Sequence, residues 1–483
     1  MTKSSFYFLS MLLSVVNSFA QIQTPQTPTF GTKHPVSSSQ SYSTGSNYTT
    51  GNNAQTITQQ RNRQAMQQMG YTPPPTQADI RANLARQREN KQRNIETAQT
   101  QKMKMVADIL KESYATNKTK SQYFWQSNEY LQALKPYVSV RENLKAMLNG
   151  SQPLSLKKAL YLLESVDGNN YLTYQQYEDI IHNSVQFIYA WMKENNLDVN
   201  DDEALHFALQ RFMADTLLLK NTITDGTKSI GAQTGHLPFS YDFIDFNIEK
   251  DIKNYHITKT FATGTGQCHT LPLVYLILAE ELGIKAWLSY APIHSFVKYK
   301  DKSGTIHNYE ATTDWHMSDQ SYMDEFYIKS TAIKNHLYLD TVNTQQIIAD
   351  CLMDLAWFHS RKFGTADGNF INNCIDFAIS YFPNRANETA YKLKSAIYAN
   401  ELLDLLSQKN IYNLKEMDKV DGARTIYNKL VASQDKLTNL GYQDLPEAVY
   451  IAMLQRHDKK GCWQMANNIQ TKTKKNLFFT NNH

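Results

Sequence analysis

Residues 264–283 read GTGQCHTLPLVYLILAEELG. A glycine-rich turn leads into a cysteine and then into one long apolar run. That run is hydrophobic on nearly every side, which predicts a helix buried all round. Gly283 suits the left-handed position that ends such a helix. Pro272 is tolerated only in a first turn, so the helix should begin near Cys268. At a helix start the macrodipole and the unpaired amides favour the reactive thiolate, and they can donate to an oxyanion. Cys268 can then be read as an inert core thiol, a metal ligand or a nucleophile.

The next thirty residues bear on that choice. IKAWLSYAP (284–292), HSFVKYK (294–300) and TIHNYEATT (305–313) have the aromatic and branched texture of strands. DKSG (301–304) reads as a hairpin loop, with Gly304 placed for positive φ. Parity matters because side chains alternate between faces. A three-residue loop with a glycine bulge puts His294 and Glu310 on one face of the hairpin, and a two- or four-residue loop puts them on opposite faces. A helix-start cysteine, a strand histidine and a carboxylate on the next strand are the set that thiol catalysis needs. The thiolate attacks an acyl carbon, the imidazole moves the proton, and the carboxylate orients the ring. A zinc site through Cys268, His269, His294 and His307 lacks close-paired ligand spacing.

This order, with GQC before the helix, resembles the transglutaminase-like superfamily, a branch of papain-like cysteine enzymes. The resemblance covers residues 226–330. It implies an α+β fold, a papain-like transglutaminase core flanked by mostly helical N- and C-terminal regions. It also implies Cys268 as nucleophile, His294 as base and Glu310 as orienting acid. The family usually carries Asp at the acid position. Glu310 has an extra methylene, and Asp314 is the fallback. Gln267 becomes a neighbour of the oxyanion site, where the Cys268 amide is the main expected donor. His269 is expected to point away from the thiol, as a structural or substrate-edge residue. Trp287, Tyr290 and Trp315 are expected in the core.

Around this centre the chain divides by composition. Lys3 followed by FYFLSMLLSVV and small residues at Ser18 and Ala20 reads as a secretory signal over 1–20, too short to span a membrane. Residues 21–95, rich in Gln, Thr, Ser, Asn and Pro, read as a disordered linker, and RANLARQRENKQRNIETAQTQKMKMVADILKESYA (81–115) overlaps its end and takes up helical character, very polar at first. Residues 96–225 have helical spacing, with Asp202 as a candidate cap and DEALHFALQRFMADTLLL as one helix. Two acidic loops, DGNNYLTYQQYE and DVNDDE, lack the glycine of a calcium loop. Residues 331–483 read as a helical hairpin array, and CIDFAISYFPN is weakly tetratricopeptide-like.

A net charge of +4 over 483 residues gives no basic surface for nucleic acid. Four cysteines are too few for a disulfide scaffold, and Cys351 and Cys374 read as core residues within helices. The expected protein is exported, with no integral membrane span, and needs no metal or other cofactor. It acts on a peptide or protein through a Cys268 thioester, as a peptidase or amidase or by amine transfer. The competing reading is a non-catalytic envelope scaffold whose C-terminal helices bind a protein partner.

Overall fold

A helix that is apolar on every side has to be covered on every side, and the fold is arranged around one. The computed structural model describes residues 77–117 and 127–445, except 169, 226–227, 247, 249–250 and 366–367, together with 448, 449 and 452. The expected signal segment, most of the expected linker and Cys462 lie outside the described residues. Residues 77–103 belong to one compact unit and residues from 104 onward to another.

Five helices come first: α1 (Gln77–Asn117), α2 (Asn128–Leu148), α3 (Leu156–Glu164), α4 (Tyr174–Glu194) and α5 (Asp202–Ala214). An antiparallel pair follows, β1 (Leu217–Asp225) with β2 (Lys228–His236). Then come β3 (Ser240–Tyr241), α6 (Ile257–Thr263), β4 (Thr265–Gly266) and the apolar helix α7 (Thr270–Leu282). Every α7 residue from Thr270 to Ala279 is buried, as is Leu282. Helices α4, α5 and α6 and the first two strands of the central sheet surround it. Its ends match the sequence reading. The first helical bond runs from Leu271 N to Gln267 O at 3.0 Å, and Gly283 closes it at φ 76°.

The central sheet is an antiparallel meander of β5 (Ala286–Ala291), β6 (His294–Lys300) and β7 (Ile306–Tyr309). Val297 opposes Tyr309 and Lys300 opposes Ile306. Asp301 N donates to Thr305 O at 3.0 Å, Gly304 N donates to Asp301 O at 3.0 Å, and Gly304 has φ 90°. The loop is therefore the three-residue form with a glycine bulge, 302–304, and its odd count puts His294 and Glu310 on one face. Leu288, Val297 and Tyr309 belong to the core that contains α7, while Ala291 and Phe296 belong to a second core. That second core is built with α8 (Asp319–Glu325), α9 (Ser330–Lys334) and the chain from Leu437 to Leu445.

Helices α10 (Thr344–Phe363), α11 (Gly368–Ala378), α12 (Glu388–Ser407) and α13 (Ala423–Leu440) complete the chain. Helices α10 and α11 pack together, as do α12 and α13, so the hairpin array is present. The coarse α+β class holds, with helix dominant. Four expectations need correction. Helix α1 reaches back to Gln77, ahead of the helical character read from Arg81 and into the stretch expected as linker, because residues 77–95 are rich in Arg, Ala and Gln, which favour helix. The helix expected to run through LLL stops at Ala214, and Leu217 opens β1. Asp201 rather than Asp202 caps α5, accepting from Glu203 N at 3.0 Å. The N-terminal, central and C-terminal stretches also share a core: α10 packs on α2 and α3, and one apolar cluster runs from Tyr130 to Ile397. Among the described residues no helix is long and apolar enough to cross a membrane.

One buried carboxylate ties the N-terminal helices to the site. Glu164, at the end of α3, accepts from Ile257 N, from Thr258 N at 3.1 Å and from Thr258 Oγ1 at 2.8 Å. It caps α6 across 93 residues of sequence. Glu164→Ala leaves those donors buried and unsatisfied. It should lower the unfolding free energy by about 2–3 kcal/mol, read as a drop in the urea midpoint.

Candidate active site

Cys268 lies in the turn that opens α7, half-buried and on the Gln267 side of the first helical bond. Gly266 packs so tightly that an added Cβ would meet Thr270 Oγ1 at 2.4 Å. That hydroxyl accepts from Gln267 N at 3.2 Å and from Thr260 Oγ1 at 2.9 Å. Ser295 Oγ donates to the Cys268 carbonyl at 2.6 Å, which ties the turn to β6. The Cys268 sulfur faces the carbonyl of Ile293 at 3.7 Å. Ile293 sits in the two-residue turn between β5 and β6 at φ 54°, a strained conformation for a β-branched residue.

His294 is the next residue. Its Nε2 and Glu310 Oε2 are 2.6 Å apart, and both side chains are buried. Glu310 sits opposite Phe296 in the extended register, one diagonal step from His294. The longer Glu side chain suits that diagonal. Its carboxylate also accepts from Tyr322 Oη at 3.0 Å, Thr312 Oγ1 at 2.7 Å and Thr312 N at 3.3 Å. Phe326 stacks on the imidazole, 5.2 Å between centroids. With Nε2 committed to Glu310, Nδ1 faces the opposite way. Its neighbour is the Cys268 sulfur, whose hydrogen bond and charge both act on the ring.

Burial works against the imidazolium. The charge and hydrogen bond of Glu310 and the nearby sulfur outweigh it and raise the His294 pKa from 6.5 to about 10. Burial likewise opposes ionisation of Glu310, yet His294 and Thr312 hold its carboxyl below the usual range. The pair therefore stands as imidazolium and carboxylate at neutral pH.

The other predicted residues fall around this centre. Asp314 lies apart from the histidine, held by Arg211 Nη2 with both oxygens at 2.8 Å. Gln267 is buried; its carbonyl oxygen accepts from His269 N at 2.5 Å and its amide donates to Asn254 O at 3.4 Å. The His269 ring stacks on Tyr255 with centroids 3.7 Å apart, and burial pushes its pKa down. His307 bonds Asp301 in the hairpin loop at 2.7 Å. Among the described residues no three metal-ligating side chains converge. Cys351 and Cys374 are core residues whose thiols are pushed up by burial. Trp315, expected in the core, is 51% exposed, because the 310–315 loop closes on its backbone rather than on the indole. Trp287 and Tyr290 are also only half-buried.

Sequence reasoning missed Tyr322, Thr312, Ser295 and Phe326. Thr312 lay within the quoted strand, two residues past the acid. Nothing local marks Tyr322 or Phe326, which arrive from α8 and the residue that caps it by tertiary packing. No family model matches this chain, and no curated protein or solved structure matches it.

In Glu310→Gln the imidazole loses its counter-charge while burial remains, so the His294 pKa should fall below 6.5. Titration of the His294 Cε1 proton by NMR should give about 10 in the parent chain. A raised histidine pKa stabilises the fold fully below about 6.5, and that contribution is lost as pH rises through about 10. The substitution should flatten this alkaline loss of stability.

Proposed function

We propose that this chain is an exported cysteine acyl-transfer enzyme with a papain-like, transglutaminase-like core. The observation that carries the reading is the aligned chain of groups: Cys268 at the start of α7, His294 beside it, and Glu310 at 2.6 Å from the far nitrogen of the ring. A thiol nucleophile, an imidazole that moves the proton and a group that orients the ring are the roles thiol catalysis uses.

In the attacking form the Cys268 sulfur has given up its proton to solvent beside the His294 imidazolium. Sγ attacks the carbonyl carbon of a peptide or side-chain amide. The C–N bond breaks, and the Nδ1 proton of His294 leaves with the amine. The acyl group then rests on sulfur as a thioester. Water or a second amine attacks it, His294 takes the incoming proton, and the C–S bond breaks to restore the pair. Glu310 keeps Nδ1 aimed at the sulfur throughout, and Tyr322 and Thr312 keep Glu310 in place. Water as acceptor gives hydrolysis, which we favour from the family resemblance; an amine gives cross-linking. Export rests on the N-terminal apolar segment of the sequence. The C-terminal hairpins are the candidate surface for a protein partner.

Incubation with a peptide library, read by mass for cleavage and for amine incorporation, tests the reading. Cys268→Ala should abolish both products, and His294→Ala should lower kcat/KM by roughly 10²–10⁴-fold. Loss of the imidazolium places the alkaline limb of kcat/KM near pH 10. If the parent chain forms neither product, a scaffold role replaces the enzymatic one.

A further inference from the structure

The His294–Glu310 pair lies at one end of a sheet face, and a short helix is fastened further along the same face. His294, Phe296 and Lys298 alternate along β6, so they share one face with Asn308 and Glu310 of the neighbouring chain. Lys298 is buried and directly opposes Asn308. Both reach the first residue of α8. Lys298 Nζ donates to Asp319 Oδ1 at 2.9 Å, and Asn308 Nδ2 donates to the same oxygen at 2.8 Å. The Asn308 amide also donates to Met317 O at 2.9 Å, which fixes the chain just ahead of the helix. The Lys298 side chain is 5% exposed and that of Asp319 is 56% exposed, so a carboxylate from the surface comes down to a fixed, buried ammonium.

Helix α8 has seven residues, too few to be stable without tertiary support. Tyr322 follows Asp319 by about one turn. Its ring stacks on Phe296 with centroids 3.9 Å apart, and its hydroxyl donates to Glu310 Oε2. Phe326 N donates to Tyr322 O at 3.0 Å, and the Phe326 ring stacks on His294. Tyr322 and Phe326 are both buried. A line of contacts thus runs from Lys298 and Asn308, through Asp319, to the two rings that cover His294 and Glu310. A buried ammonium left unpaired is costly, so the fold keeps Asp319, and α8 with it, in this place.

We propose that Lys298, Asn308 and Asp319 are positioning residues, which clamp α8 so that Tyr322 and Phe326 keep His294 and Glu310 aligned and shielded from water. They act through α8 and not on the reacting atoms. The inference rests on the acyl-transfer reading for the use to which the pair is put. With α8 lifted, water reaches the imidazolium and the carboxylate. Water weakens both the attraction of Glu310 and the cost of burial, so the His294 pKa returns from about 10 toward 6.5.

NMR titration of the full chain, with histidine carbon-labelled at Cε1, tests the clamp without needing turnover. Four residues along a strand put Lys298 about 13 Å from His294, and a charge at that distance moves a pKa by about 0.2–0.5. Loss of the lysine charge alone raises the His294 pKa by that amount. Lys298→Met should instead lower it by more than about 1, because the clamp is lost. Asp319→Ala should lower it as far, while Asp319→Asn, which keeps an acceptor oxygen, should stay within the charge effect. Those two substitutions remove the same charge, so only the lost contact separates them. Exchange of the His294 Nε2 proton with water should quicken roughly tenfold in Lys298→Met and Asp319→Ala. An equal His294 pKa in Asp319→Ala and Asp319→Asn overturns the proposal, as does an unchanged or raised value in Lys298→Met. If Lys298→Met fails to fold, the two Asp319 substitutions decide the matter alone. A failed peptide assay beside the expected shifts defeats the enzymatic reading and leaves the clamp standing, and turnover without the shifts does the reverse.

Discussion

Burial of α7 is the constraint from which the rest of the arrangement follows. A helix with apolar residues on every face cannot sit at a surface, so α4, α5, α6, β5 and β6 close around it. Full burial of a Leu, Ile or Val side chain is worth about 1.5–3 kcal/mol, and α7 buries an almost unbroken series of them. The first turn is the place where this buried rod meets polar chemistry. Gly266, Thr270 and Ser295 fix the backbone on both sides of Cys268. The thiol is thereby positioned at the mouth of a fully buried helix.

The second constraint is electrostatic. His294 and Glu310 are both buried, and each charge alone would be costly there. Together they are offset by four donors to the carboxylate: the imidazole, the Tyr322 hydroxyl, and the hydroxyl and amide of Thr312. The same donors remove rotational freedom from Glu310. The ring inherits that fixity, and Phe326 reinforces it from its face. The length of the glutamate side chain is consistent with the register. The acid is a diagonal neighbour rather than a direct opposite, and the longer side chain spans the extra distance.

Legibility in the sequence followed the range of the interactions. The limits of α7, the three strands and the hairpin glycine are set by local chemistry, and they were readable. The pairing of His294 with Glu310 was readable up to parity, and the odd loop decides it. Three features were not readable. Asp314 was a plausible acid until Arg211, 103 residues upstream, claimed it. Trp315 looked like core because aromatic character alone does not say which way a loop faces. The sharing of one core by the N- and C-terminal helices depends on α10 docking against α2 and α3, and no local pattern encodes that docking.

The Pro292–Ile293 turn shows why the site tolerates strain. Pro at the first central position with positive φ at the second is a type II pattern, which favours glycine at the second. Ile293 at φ 54° costs about 1–3 kcal/mol by comparison. The turn nonetheless makes His294 the first residue of β6, directly opposite Ala291, and turns the Ile293 carbonyl toward the cysteine sulfur. An extra residue in the turn would relieve the backbone but shift the β5–β6 register by one. Since alternate residues face opposite sides of the sheet, Ser295 and Tyr290 would no longer share the face that holds Cys268. The tightness of this turn and the odd count of the next one thus act together. One sets the histidine beside the thiol, and the other brings the acid to the histidine.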